Sequence, residues 1–146
     1  MDKSQSIGLL LKDLSQLYAA RFEQHARTLS LTLMHCKVLV HLERDEGVSQ
    51  ARLADLVSVD AMTIVRLIDR MEQAHLVERR ADPGDRRTRR LFLTARARPI
   101  LEQVWRLAAQ VRAEMFSGVP RAQREIFLRV LETAHHNLSN IDPKAN

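Results

Sequence analysis

The fold is decided by one stretch, Val59–Thr94, which reads VDAMTIVRLIDRMEQAHLVERRADPGDRRTRRLFLT. Its first half has helical spacing: Ile64, Val65, Ile68 and Met71 fall on an inward side, leaving Ala61, Met62, Thr63, Arg66 and Arg70 near the outer face. The period then changes. Leu76–Ala81 and Arg89–Thr94 read as strands, Leu91 and Leu93 alternating with Arg90 and Phe92, and Pro83 and Gly84 make the DPGDRR link between them a turn. An amphipathic helix with a charged hairpin directly behind it can contact duplex DNA in two grooves at once.

Working toward the N-terminus, Gln50–Leu56 reads as a short helix that buries Leu53, Ala54 and Val57 and is capped by Ser49. Ser58 or Asp60 can cap the helix that follows, which runs to about Ala74, and two helices joined so tightly form a helix-turn-helix. Leu33–Arg44 forms another helix, with Met34, Val38, Leu39 and Leu42 on its apolar side; it follows a break from Thr28 to Thr32, where Ser30 or Thr32 can cap. The first helix starts near Ile7 and carries a long stripe of Ile7, Leu10, Leu11, Leu14, Leu17, Tyr18 and Phe22.

Toward the C-terminus, Thr94 can cap a helix bearing Ile100, Leu101, Val104, Trp105, Ala108, Val111 and Met115, which tolerates Pro99 near its start and stops at Gly118 and Pro120. A last helix, Arg121 to Asn140, repeats the pattern with Ile126, Phe127, Val130, Leu131, Ala134 and Leu138, and residues 142–146 are expected to fray. Apolar stripes at both chain ends exceed what a monomer of this size can bury, so mutual burial in a two-fold dimer is expected. The fold class is mainly α: a winged helix-turn-helix (31–96) flanked by an N-terminal dimerisation helix (1–30) and C-terminal dimerisation helices (97–146).

Composition narrows the function. The 146 residues are 45% hydrophobic with a formal charge of +5, enough for a core and weakly suggestive of a polyanionic partner. The excess is concentrated: Arg79, Arg80, Arg86, Arg87, Arg89 and Arg90 stand against Asp82 and Asp85 within a dozen residues. One cysteine, no run of 18 apolar residues and no signal-peptide pattern point to a cytoplasmic protein without membrane attachment. No phosphate-binding glycine loop and no spaced nucleophile and base are present, so an enzyme is not expected. The six histidines include no HxxxH pair, and adjacent His135 and His136 diverge on a helix, so neither a metal site nor a cofactor is expected.

Arg66, in the first turns of the second helix of the motif, has the fork that donates to guanine O6 and N7, while Thr63 and Met62 suit a thymine methyl. At the hairpin, Asp85 can hold Arg87 in a bidentate pair, presenting it to a narrow A·T minor groove, with Arg86 a second tip candidate. Arg79, Arg89 and Arg90 are expected to meet phosphates.

The order of elements, together with Leu31, Thr32 and His35, the Val65, Arg66, Asp69 and Glu72 run, Asp85–Arg87, Leu93–Thr94, and Ala97 with Pro99, resembles the MarR family of transcriptional regulators, within it the SlyA-like branch. The resemblance implies a homodimer on a palindromic operator, with repression as the expected mode, and a small aromatic or anionic effector lodged between the dimer arm and the DNA-binding lobes. His35, Cys36 and Trp105 are the candidate ligand contacts. Two positions depart from the pattern. His75 stands where many members have glycine, so a positive φ is expected there, and Cys36 stands where SlyA-like proteins often carry tryptophan. Two alternatives remain open: an architectural DNA-binding protein with little sequence readout, and a regulator that senses oxidants through Cys36.

Overall fold

The computed structural model describes residues 6–141; the expected fraying of 142–146 falls outside them. Six helices and one hairpin follow in the order α1 (Ile7–Ala26), α2 (Leu33–Arg44), α3 (Gln50–Leu56), α4 (Ala61–Gln73), β1 (Val77–Ala81), β2 (Arg89–Leu93), α5 (Ala97–Met115) and α6 (Arg121–Ser139), with a 3-10 turn at Arg27–Leu29. The mainly α winged helix-turn-helix expected from the sequence is the fold observed.

The helix starts are chemically fixed. Thr32 caps α2 in a reciprocal box, its hydroxyl accepting from the His35 N–H while His35 Nδ1 accepts from the Thr32 N–H at 3.1 Å. Ser49 caps α3, and Asp60 caps α4 by accepting the Thr63 N–H at 2.7 Å. Ser30 and Ser58, the other cap candidates, instead take left-handed backbones that end the preceding elements, with φ of 54° and 58°. Thr94 does not cap α5 either. Its hydroxyl donates to the His75 carbonyl, tying the end of β2 to the end of α4.

The chain divides into two units, Met1–Val111 and Arg112–Asn146. In the first, one core joins Val38, Leu39 and Leu42 of α2, Leu53 of α3, Ile64, Leu67, Ile68 and Met71 of α4, and Leu91 of β2. Each such side chain contributes about 1.5–3 kcal/mol by leaving water. The inward face of α4 differs from the expected one at one place: Val65 is 38% exposed and Leu67 is buried. A second cluster of the same unit packs Phe22 and Ala26 of α1 with Cys36 of α2 and Val104 and Val111 of α5.

The strands pair antiparallel from Val77 opposite Leu93 to Ala81 opposite Arg89. A two-stranded ribbon is marginal by itself. Here Gly47 donates to the Leu91 carbonyl at 2.8 Å and Leu91 to that of Val48 at 3.0 Å, so the turn before α3 adds a short third edge. Gly47 has φ +84°, and a Cβ there would lie 3.3 Å from the Phe92 ring.

In the second unit Phe116 meets Phe127 edge to face, centroids 5.6 Å apart, and α6 has no buried residue. Ile126, Val130 and Leu138 form an exposed apolar face on it.

Candidate nucleic-acid interface

The Asp60 cap orients the N-terminal turn of α4, and the Thr63 N–H bond to its carboxylate, followed by weaker help from Arg66, holds Asp60 below the usual carboxylate range. Beyond it the helix presents Met62, Thr63, Arg66 and Arg70 to solvent, together with Ala61. Met62 is 67% exposed, a large apolar side chain kept at the surface. Arg66 has no hydrogen bond or ion pair among the described residues; Asp69, its nearest conceivable helical partner, is 2.7 Å from Arg79 instead.

Two aspartates shape the hairpin tip. Asp82 accepts from the Gly84 N–H at 2.7 Å and from Arg90 Nε, and these bonds, the backbone one first, lower its pKa. Asp85 accepts from the Arg87 backbone N–H at 2.9 Å and from the Thr88 hydroxyl at 3.0 Å. This corrects the expected Asp85–Arg87 ion pair: both carboxylate oxygens are taken by the turn, and Asp85 orders the backbone of Arg87, not its guanidinium.

The hairpin arginines therefore sort into two groups. Arg86, Arg87 and Arg89 are exposed, with no side-chain partner among the described residues. Arg80 lies over the Phe92 ring at 3.9 Å and pairs with Glu78, and Arg90 bonds Asp82 and the Gly47 carbonyl. Arg79, expected at a phosphate, is only 17% exposed and is held by Asp69, Glu72, Gln50 and the Val65 carbonyl. Arg90 and Arg79 thus each hold a carboxylate and a backbone carbonyl within the protein.

Between helix and hairpin, His75 has φ 58°, as the missing glycine implied. It donates to the Glu72 carbonyl at 2.9 Å and Leu76 donates to that of Met71 at 2.9 Å, the paired bonds of a Schellman stop with His75 in the left-handed place.

A family model described as MarR family matches residues 31–88. The crystal structure of transcriptional regulator PA3341 shares 31% identity over 92% of this chain and 98% of its own, with a TM-score of 0.78. The chain belongs to the MarR family of transcriptional regulators. The repressor CouR, solved on a 23-mer DNA duplex, is 26% identical over 90% of this chain and 94% of its own, TM-score 0.79. BpsR of Bordetella bronchiseptica, whose DNA binding is regulated by 6-hydroxynicotinic acid, is 26% identical over 97% and 99%, TM-score 0.77.

This MarR-family chain also holds a groove of about 260 Å³ in its first unit, lined by Tyr18, Phe22, Cys36, Lys37, His41 and Trp105 among others. Two of the three expected ligand contacts, Cys36 and Trp105, meet there. His35 does not line it: the ring is committed to the α2 cap, and burial, with Arg70 nearby, lowers its pKa. Trp105 donates Nε1–H to Glu43 at 2.8 Å. Burial pushes the Cys36 thiol up to about 11. Tyr18, Lys37 and His41 join them without having been expected as ligand contacts, although Tyr18 and Phe22 lie four apart on α1, the spacing of one helical face. Among the described residues no group of three His, Cys, Asp or Glu could hold a metal ion.

Proposed function

We propose that this protein is a SlyA-like transcriptional repressor that binds a palindromic operator in double-stranded DNA as a homodimer. The observation that carries the reading is the division among its arginines: Arg66 on α4 and Arg86, Arg87 and Arg89 on the wing are exposed and uncommitted among the described residues, while Arg79, Arg80 and Arg90 are spent on internal partners. Arg66 and Arg70, with Ala61, Met62 and Thr63, would enter the major groove. Arg86 and Arg87 would reach the minor groove and Arg89 a phosphate, with Asp85 shaping the tip. CouR, a repressor with the same fold on DNA, supports that docking.

Residues 1–30 and 97–146 would supply the dimer interface around the DNA-reading segment 31–96; the exposed Ile7, Leu10 and Leu17 of α1 and Ile126, Val130 and Leu138 of α6 support this. A small aromatic or anionic compound would occupy the groove beside Tyr18, Cys36 and Trp105, with Lys37 as its countercharge, as BpsR's control by 6-hydroxynicotinic acid suggests. The ligand would act by binding one spacing of the reading heads better than the other. No described helix is long and apolar enough to cross a membrane, in keeping with a cytoplasmic regulator. The protonated, buried thiol argues against oxidant sensing through Cys36.

Selection of bound fragments from a random-sequence duplex pool tests the reading. An enriched palindrome bound far more tightly than random duplex is expected, whereas a ratio near one favours an architectural role. On the enriched fragment, Arg87→Ala costs about 1–3 kcal/mol of binding at fixed salt. Unchanged affinity would remove Arg87 from the interface.

A further inference from the structure

We propose that Arg79 is a positioning residue for DNA reading, one that sets sequence discrimination without itself touching DNA; the inference rests on the function proposed above. From β1 its guanidinium reaches two other elements. Nε donates to Gln50 Oε1 in the first turn of α3 at 3.0 Å, and the terminal nitrogens reach the Val65 carbonyl at 3.2 Å, Asp69 at 2.7 Å and Glu72 at 3.2 Å, all on α4. The backbone N–H of Arg79, in β1, donates to Glu72 as well, at 3.1 Å.

Val65, Asp69 and Glu72 are spaced four and three apart, so they form one stripe along α4. Arg66 and Arg70 each follow a stripe residue by one position, about 100° around the helix. Holding the stripe against β1 therefore fixes the rotation of α4 about its axis, and with it the direction of both outward arginines. The same grip fixes the wing relative to the helix, so the two groove contacts keep one spacing. It also sets one positive charge against two carboxylates of the recognition helix. Lysine would keep the charge but lack the planar fork that serves several acceptors at once.

The test compares wild type and Arg79→Lys on two duplexes of equal length, one selected by the wild type from a random pool and one of random sequence. The variant is expected to lose at least about fivefold more affinity for the selected duplex than for the random one, the lower end of what one lost base contact costs. The slope of log affinity against log salt should shift by less than about one, because no phosphate contact disappears. Equal losses on both duplexes with a slope smaller by about one would make Arg79 a phosphate ligand and overturn the inference, as would an unchanged ratio. Gln50→Ala, which leaves the α4 pairs in place, serves as the second variant should Arg79→Lys not fold; it is expected to lower the ratio, and an unchanged ratio overturns the inference. A wild-type ratio near one overturns the regulator reading as well, whereas a large wild-type ratio untouched by both variants overturns this inference alone.

Discussion

His75 stores backbone strain at the joint between recognition helix and wing. A side chain in the left-handed region crowds its own carbonyl, and glycine is free of that cost but gives back some unfolded-state entropy. His75→Gly should therefore raise stability by about 0.5–1 kcal/mol, read as a higher urea midpoint at unchanged slope. His35 carries a different consequence. Its Nδ1 accepts the Thr32 N–H only when that nitrogen is unprotonated, and its folded pKa lies below the ordinary 6.5. The cap's contribution is thus complete above pH 6.5 and is lost as pH falls from there through the lowered folded value. Urea midpoints from pH 7.5 to 5 should fall more for wild type than for His35→Gln, since glutamine closes the same box without titrating. Equal slopes would show that the cap does not respond to protonation.

At the scale of elements, Asp60 is the cap on which α4 depends. Asp60→Ala should lower the urea midpoint of unfolding, because the first-turn N–H of Thr63 loses its acceptor. Its depressed pKa means that this contribution is present above the usual carboxylate range and fades as pH falls through the lower folded value. Every helix and both strands were legible because their periods, 3.6 and 2, are written in side-chain polarity. The choice between equivalent partners was not. Ser58 and Asp60 are both good caps by type, and only the backbone angle of Ser58 decides against it. Asp85 can reach either the backbone or the guanidinium of Arg87 along the chain, and the turn wins because its N–H is already in place. Leu67, by contrast, was legible: Ile64, Leu67, Ile68 and Met71 stand at the three-and-four spacing of one helical face, and Val65 lies beside it. The Arg79 grip joins residues up to 29 apart, a separation at which no local pattern exists.

For the whole molecule, the exposed stripe of α6 predicts association. Val130, 61% exposed, should tolerate glutamate within the chain's own fold while preventing burial against a second copy, so Val130→Glu should halve the mass seen by light scattering and weaken operator binding. An unchanged mass would move the interface elsewhere. Steep salt dependence of operator binding should accompany the wild-type dimer, because two sets of wing and helix arginines release counterions together. The solitary cysteine, finally, makes the protein its own clock. At pH 8 a thiol with a pKa of about 11 is thiolate in roughly one molecule in a thousand, against about a quarter for an ordinary exposed cysteine. A disulfide reagent such as Ellman's will thus colour the native state slowly, at a pace set by how often α1 and α5 part from α2. Any compound that fills the space beside Cys36 must slow that colour change, which turns one native atom into an assay for effectors.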